Sequence, residues 1–75
     1  MASSVFQQIQ DASINAGSVG VLFGNVKSNY RQVSVEMKFG KDVAVVTFYR
    51  REIMKNEPYF VHDSLLKAID GIRRG

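Results

Sequence analysis

Seventy-five residues leave room for one hydrophobic core, and the absence of cysteine removes disulfides and thiolate metal sites as supports for it. A lone histidine, His62, leaves no His-rich metal site, and 45% hydrophobic residues is the composition of a folded chain, not a disordered one. The net charge of +3 is mildly basic, which suits an anionic partner without requiring one.

A chain this short buries only about 60% of the surface its unfolded form exposes. Its stability must come from close packing or from a partner copy, and a homodimer is expected. One domain over residues 1–75 is expected, without linker, repeat or low-complexity segment. No apolar run approaches the roughly 20 residues of a membrane helix. The segment MASSVFQQIQDAS has neither the basic nor the apolar region of a signal peptide, so a cytoplasmic, reducing setting with no membrane contact is expected. Before Tyr30 the only charges are Asp11 and Lys27, so an anion-binding surface must come mostly from the second half.

In chain order, Ser4 and Gln7 have capping-box spacing, and Val5, Ile9, Ala12 and Ala16 recur at helical period, with Gly17 placed to stop the helix. Ile14 falls on the opposite side, and the polar face of Gln7, Gln8, Asp11 and Asn15 is nearly uncharged. Residues 19–26, VGVLFGNV, read as a strand with Val19, Val21 and Phe23 on one face; Gly20 and Gly24 on the other mark a bulge or a close backbone approach. GVLFG matches neither the phosphate-loop nor the dinucleotide spacing, which leaves these glycines a structural role. Residues 25–29 supply turn chemistry. From Arg31 to Phe39, Val33, Val35, Met37 and Phe39 alternate with polar residues, predicting a half-buried antiparallel strand.

Gly40-Lys41 suits a tight hairpin into a strand over 43–51. A two-residue loop pairs Phe39 with Asp42, Met37 with Ala44, Val35 with Val46 and Val33 with Phe48; a three-residue loop sets Phe39 against Val43 instead. In either register the third strand is apolar on both faces, and a second subunit is the simplest cover for the outer one. Residues 59–61 read as a short fourth strand or an extended lead-in. Asp63 or Ser64 then caps a last helix with Leu65, Ile69 and Ile72 on its stripe. The fold class is α+β: an antiparallel sheet of three or four strands with an N-terminal and a C-terminal helix, in the order α-β-β-β-(β)-α.

Catalysis has little to stand on, and no enzyme activity, cofactor or metal is expected. His62-Asp63 is the one base–orienter pair, and sequence neighbours rarely orient one another. Glu52, Glu57, Asp63 and Asp70 are scattered, with no spacing that implies a shared metal. Arg73 and Arg74 suit the negative end of a helix macrodipole. Basic residues interleaved with tyrosines are a better lead, because arginine and lysine hold phosphates while exposed rings stack on bases. The candidate contacts are Tyr30, Lys38, Lys41, Tyr49, Arg50 and Arg51.

The α-β-β-β-α order resembles that of double-stranded-RNA-binding domains, whose last helix starts lysine-rich where this one reads HDSLLKAIDG. VSVEMKFGKDVAVVTFYRRE with YFVHDSLLKAI resembles the hairpin and helix of single-stranded-DNA-binding transcriptional coactivators, without that family's further strand. Neither likeness spans the chain, and no family is assigned. The functional expectation is a small non-enzymatic nucleic-acid-associated binding protein, with single-stranded nucleic acid as partner. The alternative is a protein-interaction module, an inhibitor or regulator of a larger protein, acting through the apolar strand face or the uncharged first helix.

Overall fold

Ser4 precedes an apolar-periodic run, and its hydroxyl accepts the Gln7 backbone N–H at 3.1 Å to start helix α1 (Val5–Ser18). The structure is a computed structural model and describes residues 4–75. Only half of the expected capping box forms, because the Gln7 side chain turns forward and donates to Asp11 Oδ1. Ile9, Ala12 and Ala16 are buried along one stripe, whereas Ile14 faces outward. The helix does not stop at Gly17. It runs to Ser18 and closes with Gly20 at φ +83°, where Gly20 N–H donates to Gly17 C=O and Val21 N–H to Ala16 C=O. That is a Schellman ending, and the left-handed position demands the residue without a Cβ. Gly20 therefore belongs to the helix cap and not to the strand expected from residue 19.

The first strand, β1 (Leu22–Ser28), starts later and runs further than expected, through the segment read as a turn. Its ladder to β2 (Gln32–Phe39) slips between Phe23 and Val26, so the bulge anticipated from the glycines sits at Gly24-Asn25. A Cβ at Gly24 would meet the Glu36 side-chain carboxylate, so the close neighbour there is a flexible side chain and not another backbone. The turn itself is Tyr30-Arg31. Asn29 Oδ1 accepts the backbone N–H groups of Arg31 and Gln32 at 2.8 and 2.9 Å, an Asx turn that folds β1 back onto β2.

The second hairpin takes the two-residue register. Phe39 pairs with Asp42, Met37 with Ala44, Val35 with Val46 and Val33 with Phe48, joining β2 to β3 (Asp42–Tyr49). Gly40 has φ +59°, as the first loop position of a type II′ turn requires. The sheet order is β1-β2-β3, so β2 is central, and Val33, Val35 and Met37 are fully buried.

No fourth strand forms, which corrects that part of the sequence reading. The chain leaves β3 directly into a short helix α2 (Arg50–Lys55), so Arg50 and Arg51 open a helix and do not end a strand. The last helix, α3 (Phe60–Arg74), starts a turn earlier than Asp63 or Ser64 suggested. Its cap, Tyr59, lies in the left-handed region at φ +73° with no side-chain cap bond of its own. Gln8 of α1 compensates: its Oε1 accepts the His62 backbone N–H at 3.2 Å. This accounts for a side chain only 5% exposed within an apolar layer, since a buried amide is tolerated when hydrogen-bonded. The expected stripe holds and extends back one turn, with Val61, Leu65, Ile69 and Ile72 buried together. Helices α1 and α3 thus cover one sheet face, and Phe48 meets Phe60 edge-on at 6.0 Å. The opposite face, called open below, carries no element of the described chain.

Two glycine substitutions test the backbone assignments. Gly40→Ala should destabilise by about 1 kcal/mol, because a Cβ is disfavoured at positive φ whatever the space around it. Gly17→Ala lies within α1 with nothing near its Cβ and should stabilise by about 0.5–1 kcal/mol. Urea unfolding of both variants reads the two signs, and equal signs would contradict the assigned conformations.

Candidate nucleic-acid interface

The ladder phase decides which of the expected contacts meet. Gln32 lies opposite Tyr49, and one step further the Arg50 N–H donates to the Arg31 C=O at 2.8 Å. The tip of the first hairpin and the start of α2 are thereby held side by side. Tyr30, Arg31, Gln32, Tyr49, Arg50 and Arg51 line an open cleft of about 520 Å³, with no carboxylate among them. Tyr30 is 81% exposed and Tyr49 51%. The Arg31 guanidinium lies 5.4 Å from the Tyr30 ring centroid, a cation–π contact that keeps the charge over an accessible ring.

The three arginines are held differently. Arg50 donates from Nε to the Asn29 carbonyl at 2.6 Å and from Nη2 to Ser28 Oγ at 2.7 Å. It therefore clips the end of β1 to the start of α2, and part of its donor capacity is spent inside the protein. Arg31 leans on Tyr30. Arg51 has no hydrogen bond or ion pair within the described residues and is exposed. Positive charge is thus presented mainly by Arg31 and Arg51, on a frame that Arg50 fixes.

Four of the six expected contacts, Tyr30, Tyr49, Arg50 and Arg51, come together here. Lys38 and Lys41 do not. They sit at the Gly40-Lys41 end of the sheet, about 20 Å from Gln32 by six strand steps. Lys38 is also 3.5 Å from Glu36 Oε1, a half-exposed ion pair that offsets its charge. Arg31 and Gln32 were not among the expected contacts. The two-residue register implies both, since it sets Gln32 against Tyr49 and Arg31 against Arg50. His62, the other candidate for chemistry, is engaged through its backbone at the start of α3. Within the described residues no three His, Cys, Asp or Glu side chains gather as a metal site would need, and no helix is long and apolar enough to cross a membrane.

If Arg50 is a clip and Arg51 a free cation, their removal differs in kind. Arg50→Ala should lower unfolding free energy by about 1 kcal/mol and speed amide exchange in the 28–32 turn. Arg51→Ala should stay within about 0.5 kcal/mol of the parent. Equal destabilisation by the two would remove the clip assignment. No protein-family model, curated protein or solved structure matches the chain.

Proposed function

We propose that the protein binds single-stranded nucleic acid in the Tyr30–Arg51 cleft and acts by binding, not catalysis. The observation that carries this reading is the convergence of three arginines and two exposed tyrosines in one cleft free of carboxylates. Phosphate contact supplies sequence-independent attraction, and exposed rings stack on bases whose faces are free only in a single strand. Gln32, opposite Tyr49 in the cleft lining, adds an amide that can donate to and accept from a base edge. Lys38 and Lys41 lie too far along the sheet to share the phosphates of a nucleotide in the cleft.

A second reading rests on a different observation. Leu22, Val43 and Val45 are 68%, 57% and 62% exposed on the open face, beyond the polar Ser34–Thr47 pair. An apolar surface of this kind suits a protein-interaction module that inhibits or regulates a larger protein. The two surfaces separate by mutation.

Titration of a labelled single-stranded oligonucleotide at several salt concentrations is the test, with a duplex of the same sequence alongside. Two to three phosphate contacts predict a log–log salt slope of about −2 for the single strand. Arg31→Ala with Arg51→Ala should flatten that slope by about 1.4, and Tyr49→Ala should weaken binding by about 1–3 kcal/mol without changing it. Val45→Ser should leave both quantities alone. Absence of binding at low salt, or a double variant with the parent's slope, would dismiss the cleft as a nucleic-acid site and leave the apolar face as the leading surface.

A further inference from the structure

The main chain of β3 is half used. Because the Arg50 N–H bonds to the Arg31 carbonyl, the hydrogen-bonded pairs up the ladder are Val33–Phe48, Val35–Val46, Met37–Ala44 and Phe39–Asp42. The N–H and C=O groups of Val43, Val45 and Thr47 and the N–H of Tyr49 then point away from β2, and no described strand pairs with them, whereas the Tyr49 C=O, at the N-cap of α2, belongs to that helix. The two sheet edges are also treated differently. On β1 the edge is broken by the Gly24-Asn25 bulge and carries Lys27, the usual defences against edge pairing. On β3 eight residues run without bulge or proline, and the sole charge is Asp42 at one end.

We propose that β3 pairs with β3 of a second copy of this chain, antiparallel, about a two-fold axis at Val46. The axis must pass through a residue, since a register centred between residues would set every open-face side chain against a core-side one. An axis at Val46 brings Val43 opposite Tyr49 and Val45 opposite Thr47 on the open face, so Val45 and Thr47 exchange both main-chain bonds and the Tyr49 N–H meets the Val43 C=O. On the core side it brings Ala44 opposite Phe48 and leaves Asp42 just past the end of the partner's strand. Asp42, which has no ion pair within the described residues, then faces solvent and not an apolar side chain. An axis at Val45 instead sets Asp42 against Phe48 and Tyr49 against the turn residue Lys41. The cost of desolvating Asp42 against Phe48, together with the ring placement, therefore selects Val46 over Val45. At the Asp42 end of the strand, a shallow depression of about 410 Å³ lies between β3 and α3, lined by Asp42, Ala44, Ala68, Gly71 and Ile72. The pairing makes one six-stranded sheet with the two open faces side by side, and it does not rest on the nucleic-acid reading.

The chain contains no cysteine, so single cysteine variants report the register without background. Val46→Cys should oxidise to a covalent dimer, because a residue on the axis meets its own copy at a Cα separation of about 4.5 Å, within disulfide reach. Val45→Cys, displaced diagonally from its copy, should not. Light scattering should give the wild-type chain twice its 8.4 kDa mass at micromolar concentration. Val45→Pro removes an N–H that only the partner uses and should raise the dimer dissociation constant about tenfold or more, with circular dichroism unchanged. Val45→Lys, a side-chain change on an exposed position, gives the same readout should the proline perturb folding. A wild-type mass of one chain at high concentration overturns the proposal, as does crosslinking through Val45→Cys in preference to Val46→Cys. An edge that takes up an added extended peptide while the chain stays monomeric also overturns it.

Discussion

Val33, Val35 and Met37 of β2 have no exposure to solvent, and the other elements are placed by what they do to keep these three side chains dry. β1 and β3 flank them, Phe48 and Val46 stand across the ladder, and α1 and α3 lie over them. Burying side chains of this size contributes roughly 1.5–3 kcal/mol each, a large share for a chain with no disulfide or metal. The arrangement depends on parity. A slip of one residue at Gly40-Lys41 would turn Ala44, Val46 and Phe48 outward and leave β2's apolar face against Val43, Val45 and Thr47. A two-residue loop with glycine at positive φ prevents the slip locally, before any long-range contact is made.

With so thin an apolar core, polar groups buried by mistake would cost as much as the core yields, and the chain ends its elements with care. The Schellman closure at Gly20 satisfies α1 carbonyls that would otherwise be orphaned, and Asn29 does the same for two N–H groups at the first hairpin. Gln8 is the informative case. It lies among Ile9, Ala12 and the α3 stripe, where a leucine would bury more apolar area, yet it supplies the cap that Tyr59 lacks. One hydrogen bond thereby fixes the axial position of α3 against α1, a constraint that non-directional apolar packing does not impose. Arg50 plays the equivalent part at the other end of the sheet, tying the β1 terminus to α2 through Ser28 and Asn29.

The parts of the fold legible in the sequence are those fixed by neighbours along the chain. The alternation in β2, the Gly-Lys turn and the Ser4 cap are local rules, and the structure follows them. The misreadings share a different cause. Gly17 and Gly20 are both plausible stops, and which one closes α1 depends on where Val21 must enter the core. Tyr59–Val61 reads as a strand by its β-prone residues, but Gln8, more than fifty residues away, offers the cap that makes Phe60–Arg74 a helix from its start. Arg50 and Arg51 read as strand-end cations, and their divergence into a clip and a free charge follows from Ser28 and Asn29, brought near only by the sheet. The cleft was half legible for the same reason. Its tyrosines and arginines stand out as residue types, whereas the separation of Lys38 and Lys41 from them follows only from pairing distance.

The same ladder phase generates both surfaces. Since the Arg50 N–H bonds to the Arg31 carbonyl, the even-numbered residues of β3 spend their main-chain groups on β2 and turn their side chains to the core. The odd-numbered ones turn side chains to the open face and main-chain groups to the edge. Tyr49 is therefore bifunctional by geometry: its ring lines the cleft while its N–H stands at an unpaired edge. Pairing that edge would not occlude the ring, because β-addition extends a sheet within its own plane and leaves its faces as they were. A ligand on the open face and a strand at the edge act on perpendicular directions of one residue. Occupancy of either surface is then structurally compatible with occupancy of the other, and pairing would set two clefts on one continuous face, where a single extended polyanion could engage both.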